Sequence, residues 1–170
     1  VAGRTLRIFA VGHSFEDLVI GWLRQAGFDL RTHKRDGSQF GFETAGGRIK
    51  GHIDGVILDG PVAGLPWPLL WEHKALKGSS WSDTAKKGVQ LSKPIYYGQM
   101  QIYMAYMGLG AGLFTALNKD TCELYHEQIP FDPATAQQLS DKAVDVLRAA
   151  EAGEILPRIA VRPDFYLCRF

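Results

Sequence analysis

Apolar positions recur at helical spacing early in the chain and then change to the alternating pattern of strands. Phe15, Leu18, Val19, Trp22, Leu23 and Ala26 mark one helical face. Ser14 with Asp17 three residues on resembles a capping box, and Gly27 sits where a helix stops, so the pattern predicts a helix over 14–27. Residues 28–33 and 39–44 read as strands around the Asp36-Gly37 turn. Gly46-Gly47 is a second turn, and 48–59 reads as one long third strand. A loop from Pro61 to Pro68 leads to a fourth strand over 69–76. Residues 77–93 are polar and lysine-rich and read as a loop or loose helix. Pro94 opens a helix over 95–109. Residues 113–118 and 123–130 form a hairpin across Lys119-Asp120-Thr121. Asp132-Pro133 then starts a last helix that runs to about Gly153.

This order predicts an α/β (α+β) architecture with one central mixed sheet flanked by helices. A length of 170 residues with 46% hydrophobic positions allows a single domain with a real core. Residues 155–170 form a tail with no evident partner. The chain begins at Val1 and stops straight after Cys168-Arg169-Phe170, which reads as a trimmed chain. Cys122 and Cys168 are too far apart to suggest a disulfide framework, so a reducing cytoplasm is expected. No apolar run reaches membrane-spanning length and no signal-peptide pattern opens the chain.

The net charge is only +1, but its distribution is uneven. Residues 74–93 carry a net +4 and residues 119–154 a net −5. One region suits a polyanion while the other turns away from it, or both are ordinary solvated faces.

The chemistry sits in two apolar runs that contain charge. Gly51-His52-Ile53-Asp54-Gly55 lies in the third strand and Trp71-Glu72-His73-Lys74 in the fourth. Charged side chains are rarely buried unless paired or metal-bound. Strand alternation puts His52 and Asp54 on one face, and Glu72 and Lys74 on one face, with the His73 side chain on the other. Two neighbouring carboxylates repel unless a cation lies between them, and hard oxygen donors suit Mg²⁺ or Mn²⁺. Such an ion polarises a phosphoryl oxygen, beside which Lys74 would orient or deprotonate water or offset charge. The backbone carbonyl of His73 is a further candidate ligand. The alternative is a buried ion pair without catalysis. On the first helix, Glu16 lies at the edge of the apolar stripe and Asp17 nearly opposite, so Glu16 is the better third acid. Gln99 and Tyr103 stack four residues apart on the helix after Pro94. His52, Lys77, Trp81, Lys86, Lys87 and Lys93 are the candidate nucleic-acid contacts. The five histidines have no zinc-ligand spacing on one helix.

The ordered set Asp54, Glu72-x-Lys74 and Gln99-x-x-x-Tyr103 resembles the PD-(D/E)XK nuclease superfamily, and within it the RecB-like phage and bacterial exonucleases. Gly12-His13-Ser14-Phe15-Glu16 resembles the early helix of that family with its metal-facing glutamate. The resemblance runs from about Gly12 to Asp132. It implies a restriction-endonuclease-like core, with Glu16, Asp54 and Glu72 as metal ligands, Lys74 as the catalytic lysine and Gln99 and Tyr103 in support. It implies a Mg²⁺- or Mn²⁺-dependent DNase, an exonuclease of phage or bacterial DNA processing or recombination. DNA is the expected partner, a homo-oligomer or a replication or recombination partner is left open, and no membrane is expected. Ile53 replaces the proline that names the motif. Many RecB-like members carry a C-terminal cysteine cluster; Cys168 resembles the start of one, but one nearby thiol cannot hold an iron–sulfur cluster, so none is expected. The reading from another class is a non-catalytic nucleic-acid-binding or partner-recruiting module on the same fold.

Overall fold

A computed structural model describes residues 3–158. Cys168 and the rest of the tail from residue 159 lie outside the described residues. The chain divides into two compact units, Val1–Ala136 and Gln137–Phe170. The first unit holds helix α1 (Gly3–Gln25), strands β1 (Leu30–Arg31), β2 (Gly41–Thr44), β3 (Ile49–His52), β4 (Gly55–Ile57) and β5 (Leu69–Leu76), helices α2 (Gly78–Ser92) and α3 (Pro94–Met107), and strands β6 (Ala111–Asn118) and β7 (Leu124–Pro130). Helix α4 (Pro133–Ala152) begins at its end and continues into the second unit. Among the described residues no helix is long and apolar enough to cross a membrane.

The main sheet has the order β1-β4-β5-β6-β7, with β2 and β3 forming a separate two-stranded sheet. Only β5 and β6 run parallel, and α2 and α3 supply the crossover that a parallel pair requires. Both central strands are buried along nearly their whole length, as expected for a sheet covered on both faces. One face packs Trp71, Leu69, Ile57 and Leu113 against Val19 and Leu23 of α1. The other packs Leu70, Phe114 and Val56 with Val89, Met100 and Met104 of α2 and α3. The mixed α/β sheet flanked by helices matches the architecture expected from the residue pattern.

Two elements differ from the pattern and a third, open between loop and loose helix, is decided. Helix α1 starts at Gly3, not at Ser14. Ser14 donates its hydroxyl to the Ala10 carbonyl (3.0 Å) inside the helix, so it does not act as a cap. The single third strand is two strands in two different sheets. Ile53, fully buried, anchors the break: its N–H donates to the Phe40 carbonyl (3.1 Å), and its carbonyl accepts from Gln39 Nε2 (3.3 Å). Asp54 follows in the gap, outside any ladder. Residues 78–92 are helical, broken at Gly88 (φ 77°), whose positive φ suits glycine. Glu127 Oε2 accepts from the Val89 N–H (2.8 Å) just after this break.

The strongest local signals hold. Asp132 Oδ1 accepts from the N–H groups of Ala134 (3.0 Å) and Thr135 (3.2 Å), capping α4 as Asp-Pro predicts. Gly108 ends α3 in the left-handed region. Gly51 has a different reason to be glycine. A Cβ there would lie 2.5 Å from the Phe42 ring and 2.6 Å from the Tyr103 ring. Phe42 is itself stacked on Tyr106 at 4.4 Å, which hinders its withdrawal. Gly51→Ala is expected to cost about 1–3 kcal/mol through overpacking, read by chemical denaturation; a stability equal to the parent would show that the two rings yield freely.

Candidate active site

The sheet opens where β4 ends. Pairing between β4 and β5 stops at Gly55 and Trp71, leaving Glu72–Lys74 without a strand on that side. Asp54 fills the next rung with its carboxylate: Oδ2 accepts the His73 N–H at 2.8 Å. Glu72 and Lys74 point to the α3 face of β5. The Lys74 ammonium donates to Glu72 Oε1 (2.5 Å) and to the His73 carbonyl (2.9 Å), and lies 3.7 Å from Asp54 Oδ2. It also stands over the Tyr96 ring, 5.4 Å from the centroid. From α3, Gln99 Nε2 donates to Glu72 Oε1 (3.2 Å) and to the Tyr103 hydroxyl (3.0 Å). Asp54, Glu72, Lys74, Gln99 and Tyr103 are thus gathered in one place.

Burial sets the electrostatics. The Glu72 side chain is 1% exposed, and its pKa is pushed up to about 7 by loss of water, with Asp54 adding to the rise against the pull of Lys74. Burial works against the Lys74 ammonium too, but Glu72 and Asp54 outweigh it and hold its pKa above the ordinary value. Glu16 of α1 is raised as well, by burial first and then by the Asp54 charge. His73 is pushed down to about 4 by burial, with Lys74 adding to the effect, so its ring is neutral.

The donor set fits a hard cation in one respect that no protein group satisfies. Glu72 Oε1 has two donors, whereas Oε2 is buried with no hydrogen-bond partner. Asp54 and the His73 carbonyl supply further oxygens beside it. Glu16 is within electrostatic range of Asp54 and Lys74. Among the described residues, however, no three His, Cys, Asp or Glu side chains are gathered closely enough to enclose an ion alone.

A cleft of about 410 Å³ opens beside these residues, walled by Phe9, His13 and Glu16 of α1 and by Lys74, Tyr96 and Lys119. Phe9, Tyr96 and Lys119 carried no distinct signal in the sequence. Phe9 lies in a helical turn that the apolar pattern left out, Tyr96 reads as core, and Lys119 looks like a turn residue. His13 lies 3.8 Å from Glu16 in the same helix.

The basic segment is less free than its composition suggests. Trp81 is part-buried and donates its indole N–H to the Ala116 carbonyl (2.9 Å), so it belongs to the packing under α2 and does not face a ligand. The Lys93 side chain is 16% exposed and turned toward the Ser92 carbonyl and Asp83. Lys87 pairs with Asp83 at 2.7 Å. Lys77 and Lys86 are exposed. His52 is exposed on β3, in the small sheet, and does not share a strand with Asp54.

The chain matches no protein-family model and, by sequence, no curated protein. Among solved structures it is similar to LHK-Exo, an alkaline exonuclease from Laribacter hongkongensis, with a TM-score of 0.65, 19% identity, and 85% of this chain and 69% of that chain covered. It shares its fold with that exonuclease. The same enzyme in complex with dAMP matches with a TM-score of 0.63 and 21% identity over 85% of this chain and 68% of that one.

The opposed shifts of Glu72 and His73 have a measurable consequence in metal-free protein. A carboxyl whose folded pKa exceeds its unfolded value binds more protons folded than unfolded, so its contribution to stability falls as pH rises from about 4.5 to about 7. A buried histidine lowered to about 4 does the reverse, and its contribution rises from about 4 to 6.5. The two oppose each other in the native chain. Glu72→Gln removes the first, so its stability in a chelator is expected to climb relative to the parent across pH 4.5–7, by about 3 kcal/mol at most. Parallel pH profiles by chemical denaturation would contradict the buried-carboxyl assignment.

Proposed function

We propose that this chain is a metal-dependent deoxyribonuclease of the PD-(D/E)XK, RecB-like kind, acting on DNA ends as an exonuclease in phage or bacterial DNA processing. The observation that carries the reading is Glu72: a fully buried carboxylate with one oxygen held by Lys74 and Gln99 and the other unpartnered, next to Asp54. The shared fold with an alkaline exonuclease supports it.

Asp54 and Glu72 would hold Mg²⁺ or Mn²⁺, with the His73 carbonyl as an additional oxygen donor and Glu16 completing the shell or holding a second ion. When bound, such an ion polarises a phosphoryl oxygen and lowers the pKa of water. The residues of the chain do the rest. Glu72 and Asp54 keep Lys74 charged, so it acts as an ammonium that donates hydrogen bonds and offsets negative charge growing on the phosphoryl group. Of the roles considered from sequence, offsetting charge is the one that this charged state favours. Gln99 fixes the Glu72 carboxylate and ties it to Tyr103. Lys119 and His13, at the walls of the cleft, would meet phosphates, and Phe9 and Tyr96 would offer aromatic surface to a base.

Incubation with end-labelled linear DNA and with circular DNA, in Mg²⁺, Mn²⁺ or a chelator, tests the reading. Metal-dependent loss of linear DNA is expected. Intact but retarded DNA in every condition would indicate the binding module instead. Asp54→Asn is expected to lower turnover at least a hundredfold while the protein stays folded. Lys74→Ala should lose turnover far more than DNA affinity, and an equal loss of both would assign it to binding.

The exposed lysines give a separate expectation. Lys86→Glu should weaken DNA binding and reduce the slope of log affinity against log salt by about one for each lost phosphate contact. Lys93→Ala, a side chain already covered, should leave that slope where it was. Equal slopes for the parent and Lys86→Glu would take α2 out of the interface.

A further inference from the structure

Behind the carboxylates, on the opposite face of β5, lies a polar cluster in an otherwise apolar layer. Register pairs His73 with Thr115 on β6, so their side chains emerge on the same side of the sheet, as does Trp71 two residues earlier. All three are buried, and the indole and imidazole rings stack with centroids 5.8 Å apart. The Trp71 indole N–H donates to Thr115 Oγ1 at 3.1 Å. The hydroxyl has one hydrogen to give. Its near partner is His73 Nδ1 at 2.9 Å, against 3.5 Å for the Glu72 carbonyl. An indole can only donate, so it occupies one lone pair of the hydroxyl, and His73 Nδ1 bonds the same hydroxyl as acceptor or as donor according to its tautomer; the other ring nitrogen is Nε2. That nitrogen is buried with no partner.

Thr115 interrupts the apolar run that precedes Asn118 in β6, Ala-Gly-Leu-Phe-Thr-Ala-Leu, every position of which is buried. A valine would fill the same volume without an imidazole and an indole to satisfy. Polar groups in such a layer cost free energy unless hydrogen-bonded, so three of them together call for a reason beyond packing. The reason lies in the His73 peptide. Its N–H orients Asp54, its carbonyl receives Lys74, and its neighbour is Glu72. A ring that can rotate or slide lets that peptide tilt, and both contacts move with it.

We propose that Thr115 and His73 are positioning residues: the Trp71–Thr115–His73 hydrogen-bond chain locks the His73 peptide, and through it the placement of Asp54 and Lys74. The assignment rests on the nuclease reading of the site. It requires no contact between Thr115 or the His73 ring and DNA or metal.

The test compares Thr115→Val, which keeps the shape and removes the hydroxyl, with Thr115→Ser, which keeps the hydroxyl. Circular dichroism and a thermal melt establish that both fold. For Thr115→Val, kcat on linear DNA is expected to fall about 10- to 100-fold, as for partners that orient ligands from behind, with KM within about threefold of the parent. Mn²⁺ affinity, read by electron paramagnetic resonance without DNA, should weaken in the same variant. Thr115→Ser should recover both. Parent-like turnover in Thr115→Val, KM rising in step with the loss of kcat, or no recovery in Thr115→Ser would each overturn the proposal. If the valine variant does not fold, the imidazole nitrogen shifts of His73 in the unsubstituted chain decide: a single fixed tautomer supports the hydrogen-bond chain, and a mixture of the two tautomers overturns it. An unsubstituted chain that cleaves no DNA in either metal would defeat the nuclease reading alone, because Mn²⁺ affinity and the ring tautomer still report on the positioning.

Discussion

A carboxylate taken out of water in the middle of a sheet must be compensated where it stands, and Glu72 imposes that requirement on the whole first unit. Water cannot reach it, so its partners have to come from the protein. Lys74 arrives from the same strand two residues on, on the same face. Gln99 arrives from α3, which is why that helix must cross the β5 face at this height. An unpaired buried charge costs several kcal/mol. The pairing is therefore a constraint on where α3 sits, and the apolar contacts of Met100 and Met104 with the sheet follow in the same helix.

Asp54 is reached by a different device. A continuous strand through residue 54 would have spent its backbone on ladder bonds and sent its side chain to one sheet face. The break at Ile53 transfers the chain from the small sheet to the large one and leaves Asp54 in the gap, free to cap the open edge of β5 with its side chain. The same gap brings the two faces of the sheet together. Glu16 comes from the α1 side and Tyr96 from the α3 side, and both border the cleft at Lys74. A site assembled at the end of a strand pairing can draw on both layers, which a site in the middle of a covered sheet cannot.

The two faces of β5 also divide the work. The α3 face carries the charged residues, while the α1 face carries Trp71, His73 and Thr115. Side-chain alternation makes this unavoidable: a Glu-x-Lys pair on one face puts the intervening residue on the other. His73 is thus tied to the site through its backbone and to the opposite layer through its ring.

Much of this was legible in the order of residues. Residues 69–76 are the strand that the apolar run predicts, the hairpin and the helix after Pro94 fall within a residue or two, and Asp132 caps α4 as its neighbour proline suggests. These signals are local, carried by periodicity, a cap or a turn within one element. Alternation also put Glu72 and Lys74 together and sent the His73 ring away from them. What the sequence could not contain was which strand pairs with which, and where a pairing ends. The split of 48–59 into two sheets, the covering of Trp81 and Lys93, the cation–π contact of Lys74 with Tyr96 and the partnership of His73 with Thr115 all join residues from separate elements or expose a backbone to a different neighbour. The sequence by itself determined which residues carry charge into apolar strands and on which face. Only the tertiary structure decided which partners meet that charge, because a buried charge selects its compensation by distance in space and not by spacing along the chain.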